Sequence, residues 1–349
     1  MKFKKLLFVL TVVLTLNACK KSDSPAPVET PPNNTTPATP TQYVADNSFK
    51  IVAYMPSYKD PETVDIGKYK MITHLFYAFL EINSSGDGSL NALSQPTRFA
   101  TVISRAKANN VKIGISISGT SSYFVTMAAS ATARTKFVTN VVNFAKNNLL
   151  DGVDMDWEYP STTAGIASAD NYVLLMQELS TELHKVNKFL SAAVTPAVYA
   201  GGIRDGIKPE VYPYIDFFNI MQYDGQTWDK ADPNQHASYQ MSVYSLDVWL
   251  GTKGLPKQKA VLGMPLYGKN AAGSSKGYRE FETAGLDVNL DKVNLNGTDY
   301  WFNGINTIKL KTQLAKERAN GIMFWEFSFD SNSSKSAIKA ANDQLGRTY

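Results

Sequence analysis

The sequence predicts a (β/α)8 barrel in a single domain, on two main observations. Eight short apolar runs, rich in β-branched and aromatic residues, are separated by segments whose apolar residues recur at helical spacing. No glycine-rich phosphate loop follows the first run, which argues against an open dinucleotide-binding sheet, and no repeat of about 20 to 50 residues is visible. At 349 residues, 44% of them hydrophobic, the chain is long enough for one barrel of about 250 residues plus flanking segments.

Taken in order, residues 1–18 stand outside that barrel. Lys2, Lys4 and Lys5 precede an apolar run of roughly 11 residues, too short for a bilayer that needs about 20, so the segment reads as a secretory signal peptide. Leu16-Asn17-Ala18-Cys19 resembles the lipobox of bacterial lipoproteins. That resemblance implies lipidation at Cys19, the only cysteine, and an exported protein anchored at the outer membrane or cell surface, or facing the periplasm. Residues 19–47 are mostly Pro, Thr, Ser and Asn; such a stretch buries too little apolar surface to offset its ordering entropy and reads as a tether. The barrel is expected over 48–349.

The predicted strands are 49–55, 71–82, 111–118, 151–158, 189–196, 215–223, 259–267 and 321–327. Between them lie helical stripes: Phe99, Val102, Ile103 and Ala106; then Phe137, Val141, Phe144 and Ala145; then Tyr172, Leu175, Met176, Leu179 and Leu183. About 50 residues separate Tyr267 from Gly321, which reads as too few for a separate α+β insertion between the seventh and eighth strands, and so predicts a shallow, open groove.

The net charge of +4 includes the three leader lysines, so about +1 remains without them. There is no basic run interleaved with aromatics, which excludes a nucleic-acid partner and suits a neutral ligand; no cofactor is implied, and a monomer is expected. His74, His184 and His236 are not at metal-ligand spacing and read as structural or surface residues, so no metal site is assigned. No G-x-S-x-G elbow is present.

The most informative stretch is Asp151-Gly152-Val153-Asp154-Met155-Asp156-Trp157-Glu158-Tyr159-Pro160. On a strand, alternation puts Asp154, Asp156 and Glu158 on one face, with Val153, Met155 and Trp157 on the other. Like charges side by side are unfavourable and Asp is depleted in strands, so a purely structural strand would rarely be written this way. In a barrel, the end of that strand opens on the face where chemistry is done. Asp151, on the opposite parity, reads as a structural acid bonded to backbone. As an alternative, the three acids could hold Mg²⁺ or Ca²⁺, which take oxygen ligands.

The pattern Asp151-x-x-Asp154-x-Asp156-x-Glu158 matches the D-x-x-D-x-D-x-E signature of glycoside hydrolase family 18, the chitinase family, and Trp157, Tyr159 and Pro160 resemble its chitinase branch. Met221-Gln222-Tyr223-Asp224 is similar to the family's M-x-Y-D on the sixth strand, and Met323-Phe324-Trp325-Glu326 to its tryptophan-bearing eighth. Ile115-Ser116-Ile117-Ser118-Gly119 resembles the third-strand S-x-G-G, with Ser118 at the place of the first glycine. The resemblance covers roughly 48–349. It implies a retaining, metal-independent glycosidase acting on β-1,4-linked N-acetylglucosamine, in which the substrate's acetamido oxygen replaces a carboxylate nucleophile. Glu158 would be the general acid and then base, Asp156 would orient the acetamido group while Asp154 shares a proton with it, and Tyr223 would donate to the acetamido oxygen. Close carboxyls cannot both ionise cheaply, so the pair should keep one proton and lift the pKa of Glu158.

Sugar faces stack on aromatic rings, and the strand ends carry several. Trp325 corresponds to the floor of the subsite where cleavage begins; Tyr54, Phe79 and Tyr267 join it as candidate sugar contacts, with Met221, Asp224 and Ser116 from the matched motifs and Trp228 along the groove. Trp157, on the far face from the acids, reads as packing. The resemblance also implies cis peptide bonds at Glu158-Tyr159 and Trp325-Glu326. Two alternatives stay open: an endo-β-N-acetylglucosaminidase acting on the chitobiose core of N-glycans, and a non-catalytic, lectin-like chitin-binding barrel, against which the presence of Glu158 argues.

Overall fold

The computed structural model describes residues 42–349. The expected signal peptide, Cys19 and most of the tether lie outside the described residues. Eight parallel strands close a barrel: β1 (Lys50–Pro56), β2 (His74–Glu81), β3 (Lys112–Ser118), β4 (Gly152–Met155), β5 (Phe189–Val194), β6 (Phe217–Ile220), β7 (Ala260–Pro265) and, after an excursion, β12 (Gly321–Trp325). Neighbours follow chain order around the ring, and β12 pairs with both β7 and β1 to close it. All eight runs read from the sequence are there, most of them shortened at the ends. β4 stops at Met155 rather than 158, although the Asp156 N–H still donates to the Ile117 carbonyl at 2.9 Å, so the alternation persists beyond the strand.

Strand parity sorts the apolar residues into two cores. Residues facing outward from the strands pack beneath the helices: α1 (Pro96–Ala108), α2 (Ser121–Ala129), α3 (Ala131–Asn147), α4 (Ala169–Lys185), the short α5 (Gly202–Asp205) and α6 (Tyr239–Leu246). The predicted stripe on α4, from Tyr172 to Leu183, is buried there. Ser130 ends α2 and starts α3, its hydroxyl capping the Ala133 N–H at 3.3 Å. The inward face is a separate cluster that includes Val52, Tyr54, Phe76, Phe217, Met221 and Met323. Two glycines make room for its large rings. A Cβ at Gly114 would meet the Phe76 ring at 2.6 Å, and one at Gly152 the Phe189 ring at 2.3 Å, so small residues on β3 and β4 face large ones on β2 and β5.

The expectation of no insertion before the last strand is corrected. Between β7 and β12 lies a four-stranded antiparallel sheet, β8 (Tyr267–Lys269), β9 (Ser275–Gly277), β10 (Lys292–Leu295) and β11 (Thr298–Trp301), in the order β10-β11-β8-β9, with α7 (Tyr278–Thr283). It is small because antiparallel strands need no crossover. β10 and β11 are joined by Asn296-Gly297 alone, both at positive φ (52° and 84°), the two-residue turn that matches strand twist. Tyr267, read as the end of the seventh strand, belongs to this sheet, and the groove gains a wall. Helices α8 (Ile305–Arg318) and α9 (Ala337–Leu345) complete the shell.

The tether boundary also moves. Residues 42–47 form no regular element, but the Tyr43 ring stacks on His184 with centroids 3.8 Å apart and the Asp46 carbonyl accepts from Lys50 Nζ at 2.8 Å, so the barrel begins before residue 48.

Candidate active site

The acidic row descends from the mouth of the barrel into its interior. Asp154 is fully buried, Asp156 is 3% exposed, and Glu158, beyond the strand end, opens on the cleft. Register places Ser116 on β3 and Ser191 on β5 directly beside Asp154, and Tyr54 reaches across from β1. Asp154 Oδ2 accepts from Tyr54 Oη (2.8 Å) and Ser116 Oγ (2.9 Å); Oδ1 accepts from Ser191 Oγ (2.6 Å) and Asn219 Nδ2 (3.2 Å). Its four lone-pair positions are therefore filled. Burial raises the pKa of Asp154, and these four donors oppose that rise.

Asp156 has the opposite surroundings. Its Oδ1 is buried with no hydrogen-bond partner among the described residues. Burial first, then the charges of Glu158 and Asp154, push its pKa well above the ordinary value. Of the two aspartates expected to share a proton, Asp156 has the surroundings that favour the protonated form more strongly, because four donors oppose the rise at Asp154 and none does at Asp156. The pKa of Glu158 is raised by burial of its carboxyl group, with Tyr159 opposing and the charge of Asp224 adding to the rise. Trp157 points the other way, as expected: it stacks on Phe124 at 5.2 Å and donates from Nε1 to Ser121 Oγ at 2.8 Å. The Asp151 carboxylate accepts from the Ile113 N–H at 2.8 Å at the foot of the barrel, the structural role assigned to it.

Above the acids is a cavity of about 290 Å³. Asp156, Glu158, Tyr54, Phe79, Met221, Tyr223, Asp224, Tyr267 and Trp325 all line it, so most of the sequence-predicted site converges in one place. Trp325 forms a stacked pair with Phe79 (5.8 Å, 19°) and is tilted against Tyr54 at 5.6 Å. Among the described residues the Tyr223 hydroxyl meets only Met323 Sδ, at 4.0 Å, which leaves it open to donate to a ligand. Burial, then the charges of Asp156 and Glu158, push its phenol well above the usual range, so it stays protonated. Asp224 accepts from Tyr267 Oη (2.6 Å) and pairs with Lys269 Nζ (2.7 Å). Burial would raise its pKa, but His236, Lys269 and Tyr267 outweigh that and hold it below the carboxylate range. His236 is structural yet close to the site: Nδ1 accepts the Asp224 N–H at 3.3 Å and Nε2 donates to the Tyr267 carbonyl at 3.2 Å. Peptides 158–159 and 325–326 are cis, as is Ala78-Phe79.

Two candidates are corrected. Ser116 is fully buried beneath the cavity, where it holds Asp154 instead of touching a ligand, because its register partner is Asp154 itself. Trp228 is not on the cavity wall; a turn closed by its N–H on the Gly225 carbonyl (3.1 Å) swings the ring back onto Tyr244 of α6, at 5.3 Å. Sequence reasoning missed Ser118, Tyr159, Ala193 and Met323 on the wall, and Ser191 and Asn219 under Asp154. Parity could have found most of these: 191 and 193 share the inward face of β5, and 219 lies two residues before Met221 on β6.

A family model, "Glycosyl hydrolases family 18", matches residues 50–330, most of the chain. The chain belongs to glycosyl hydrolases family 18. Among its relatives, Chitinase 1 of Aphanocladium album is 27% identical over 343 residues, covering 79% of each chain. The length shared with curated relatives varies widely: the chain spans 11% of one and 79% of another. Among solved structures, the GH18 chitinase ChiB of Flavobacterium johnsoniae overlays with a TM-score of 0.70 at 25% identity, over 85% of this chain and 94% of that one. A chitinase from Cycas revoluta solved with (GlcNAc)3 overlays with a TM-score of 0.73 at 21% identity, over 85% of this chain and 100% of that one.

Proposed function

We propose that this family 18 barrel is a retaining glycosidase that cleaves β-1,4-linked N-acetylglucosamine, as chitin or its oligomers, with the substrate's acetamido group as nucleophile. The observation that carries the reading is the bare Oδ1 of Asp156, buried beside Glu158 on the wall of an aromatic-lined cavity. A buried acceptor without a partner costs about 1–3 kcal/mol, so a donor from the ligand is the natural complement, and an acetamido N–H supplies one. The F. johnsoniae relative is titled a chitinase and the Cycas enzyme was captured with an N-acetylglucosamine trimer, which supports the same substrate class.

In this mechanism Glu158, whose raised pKa favours the protonated form, gives its proton to the glycosidic oxygen as the C1–O bond breaks. The acetamido oxygen, held by the Tyr223 hydroxyl, bonds to C1 to form an oxazolinium-like ring, while Asp156 Oδ1 accepts its N–H. Glu158, now a carboxylate, takes a proton from water, which opens the ring from the face the leaving group left. Two displacements retain configuration. Asp154 is fully occupied by four donors and is no candidate for the nucleophile.

The test is NMR of the first product from a chitooligosaccharide, together with inhibition by a thiazoline mimic of the cyclised intermediate. An initial β-anomer and strong inhibition are expected; an α-anomer with no inhibition would refute acetamido participation. Activity that is lost in EDTA and restored by Mg²⁺ would favour the metal reading. A high-mannose glycopeptide digested in parallel separates chitin from the chitobiose core. The Cys19 segment supports a further proposal, that the barrel is tethered to a membrane. Labelled fatty acid should enter the full-length protein and not Cys19→Ala, and equal labelling of the two would refute it.

A further inference from the structure

We propose that Lys311, on α8, is a positioning residue that sets the sugar-binding loop after β6. Its Nζ is fully buried and faces three neutral oxygens: Gln222 Oε1 at 2.8 Å, the Ala237 carbonyl at 2.6 Å and Asn303 Oδ1 at 2.7 Å. No carboxylate among the described residues touches it. Among them, Asp291 is the acid whose charge bears on it from a distance, and burial pulls its pKa down to about 7. Keeping an unpaired ammonium in a core is expensive, and α8 needs no such group to pack against β7 and β12.

The three oxygens suggest what the lysine does. Gln222 sits between Met221 and Tyr223, both on the cavity wall. Ala237 follows His236, whose ring receives the Asp224 N–H and donates to the carbonyl of Tyr267. Lys311 therefore grips the outgoing and returning arms of one loop, and the loop carries Tyr223 and Asp224. Around the ammonium the node is cross-braced: Ser242 Oγ donates to Gln222 Oε1 at 2.6 Å, and Asn303 Nδ2 donates to the Ala237 carbonyl at 2.8 Å. Because Gln222 Oε1 is taken by Lys311 and Ser242, the side chain is fixed, and with it the backbone on either side of it. The hydroxyl of Tyr223 has no other strong tie among the described residues, so its aim depends on that backbone.

This inference rests on the proposed glycosidase reading, in which Tyr223 acts as the ring closes. A lysine that only stabilised the fold would change melting temperature and leave the rate per folded molecule alone. Lys311→Met keeps the volume and removes the donors. Its expected effect is a kcat lower by about 10- to 100-fold, with KM within about threefold, because misplacement of a reacting group is felt in the transition state. The control is Thr312→Val, next along α8, where a buried hydroxyl without a partner is removed; its kcat should match the wild type. If Lys311→Met does not fold, Asn303→Ala removes one of the three oxygens and a brace, and kcat should fall several-fold. A folded Lys311→Met with unchanged kcat, or a loss that Thr312→Val shares, overturns the proposal. Should the wild type cleave neither chitooligosaccharide nor chitobiose-core glycan, the function reading fails instead. Calorimetry with the thiazoline mimic then decides: about tenfold weaker binding by Lys311→Met and not by Thr312→Val supports the positioning role, and equal affinities refute it.

Discussion

Replacing Glu158 by Gln keeps the shape of the side chain and removes the proton it is proposed to donate. General acid catalysis is worth about 10²- to 10⁴-fold, or roughly 3 to 5 kcal/mol of barrier. The upper end is expected here because no other group can take over. Asp224, an alternative on the same wall, is held as an anion by Lys269, His236 and Tyr267, and Asp156, also on the wall, is the proposed partner of the acetamido N–H. The loss should depend on the leaving group. A sugar alcohol needs the proton, whereas a 4-nitrophenolate leaves without it. The assay is kcat/KM, which reports only the steps up to the first irreversible one, on a chitooligosaccharide and on 4-nitrophenyl chitobioside. Glu158→Gln should lose about 10⁴-fold on the first and about two orders of magnitude less on the second, while binding the oligosaccharide within about threefold of wild type. Equal losses on both substrates, or near-normal turnover of either, would refute the assignment of Glu158 as the acid.

The remaining predictions follow from the same geometry. Tyr223→Phe should lower kcat by about 10²-fold, the effect of misplacing a reacting group, because its hydroxyl aims the acetamido oxygen at C1. No change in melting temperature is expected, because that hydroxyl has only a sulfur contact among the described residues of the free protein. Asp154→Ala should cost at least about 3 kcal/mol more in urea denaturation than Asp156→Ala, because it strands four buried donors where Asp156 engages none. The alkaline limb of kcat/KM should lie above the ordinary carboxylate range: Glu158 acts protonated, its pKa is raised, and activity is lost as pH rises through that value. Glu326, buried behind Trp325, has its pKa raised from 4.5 to about 7, chiefly by burial. A raised acid binds its proton more tightly when folded, so its contribution is present below pH 4.5 and fades as pH climbs to about 7, a change of about 3 kcal/mol. Glu326→Gln should therefore match the wild type near pH 4.5 and unfold at higher urea concentration at pH 8; a difference independent of pH would refute this.

What the sequence made legible was whatever depends on strand parity. Residues 154, 156 and 158 share a face because successive strand residues alternate, and no later packing can undo that without unravelling the barrel. The same rule places Trp157 against Phe124 and Asp151 at the base. Loop direction was not legible. Trp228 sits a few residues past a strand end, and a single turn decides whether its ring faces the groove or α6. Chain length also misled: about 50 residues looked too few for an insertion, yet the Asn296-Gly297 turn, a two-residue hairpin signal, lets two strands fit within residues 292–301. Ser116 was misassigned for a third reason, since a motif match identifies a residue with a site but not which side of the acid it serves.

Three carboxyl groups two residues apart acquire three behaviours because the strand carries them to different depths. At the level of 154, Ser116 and Ser191 on the adjacent strands, with Asn219 from β6 and Tyr54 from β1 reaching across the barrel, supply four donors, and the acid is tied to the scaffold. One step outward, at 156, those donors are out of reach but the side chain is still buried; the group has two acidic neighbours and an oxygen without a partner among the described residues, so its pKa is pushed up and its oxygen is open to a ligand donor. One more step, at 158, the chain has left the strand, the side chain opens on the cleft, and the milder rise in its pKa suits a group that must both give and take a proton. A shift of the strand by two residues would exchange these environments, and a shift by one would turn all three acids away from the cleft, which is why the spacing of the acids matters as much as their number.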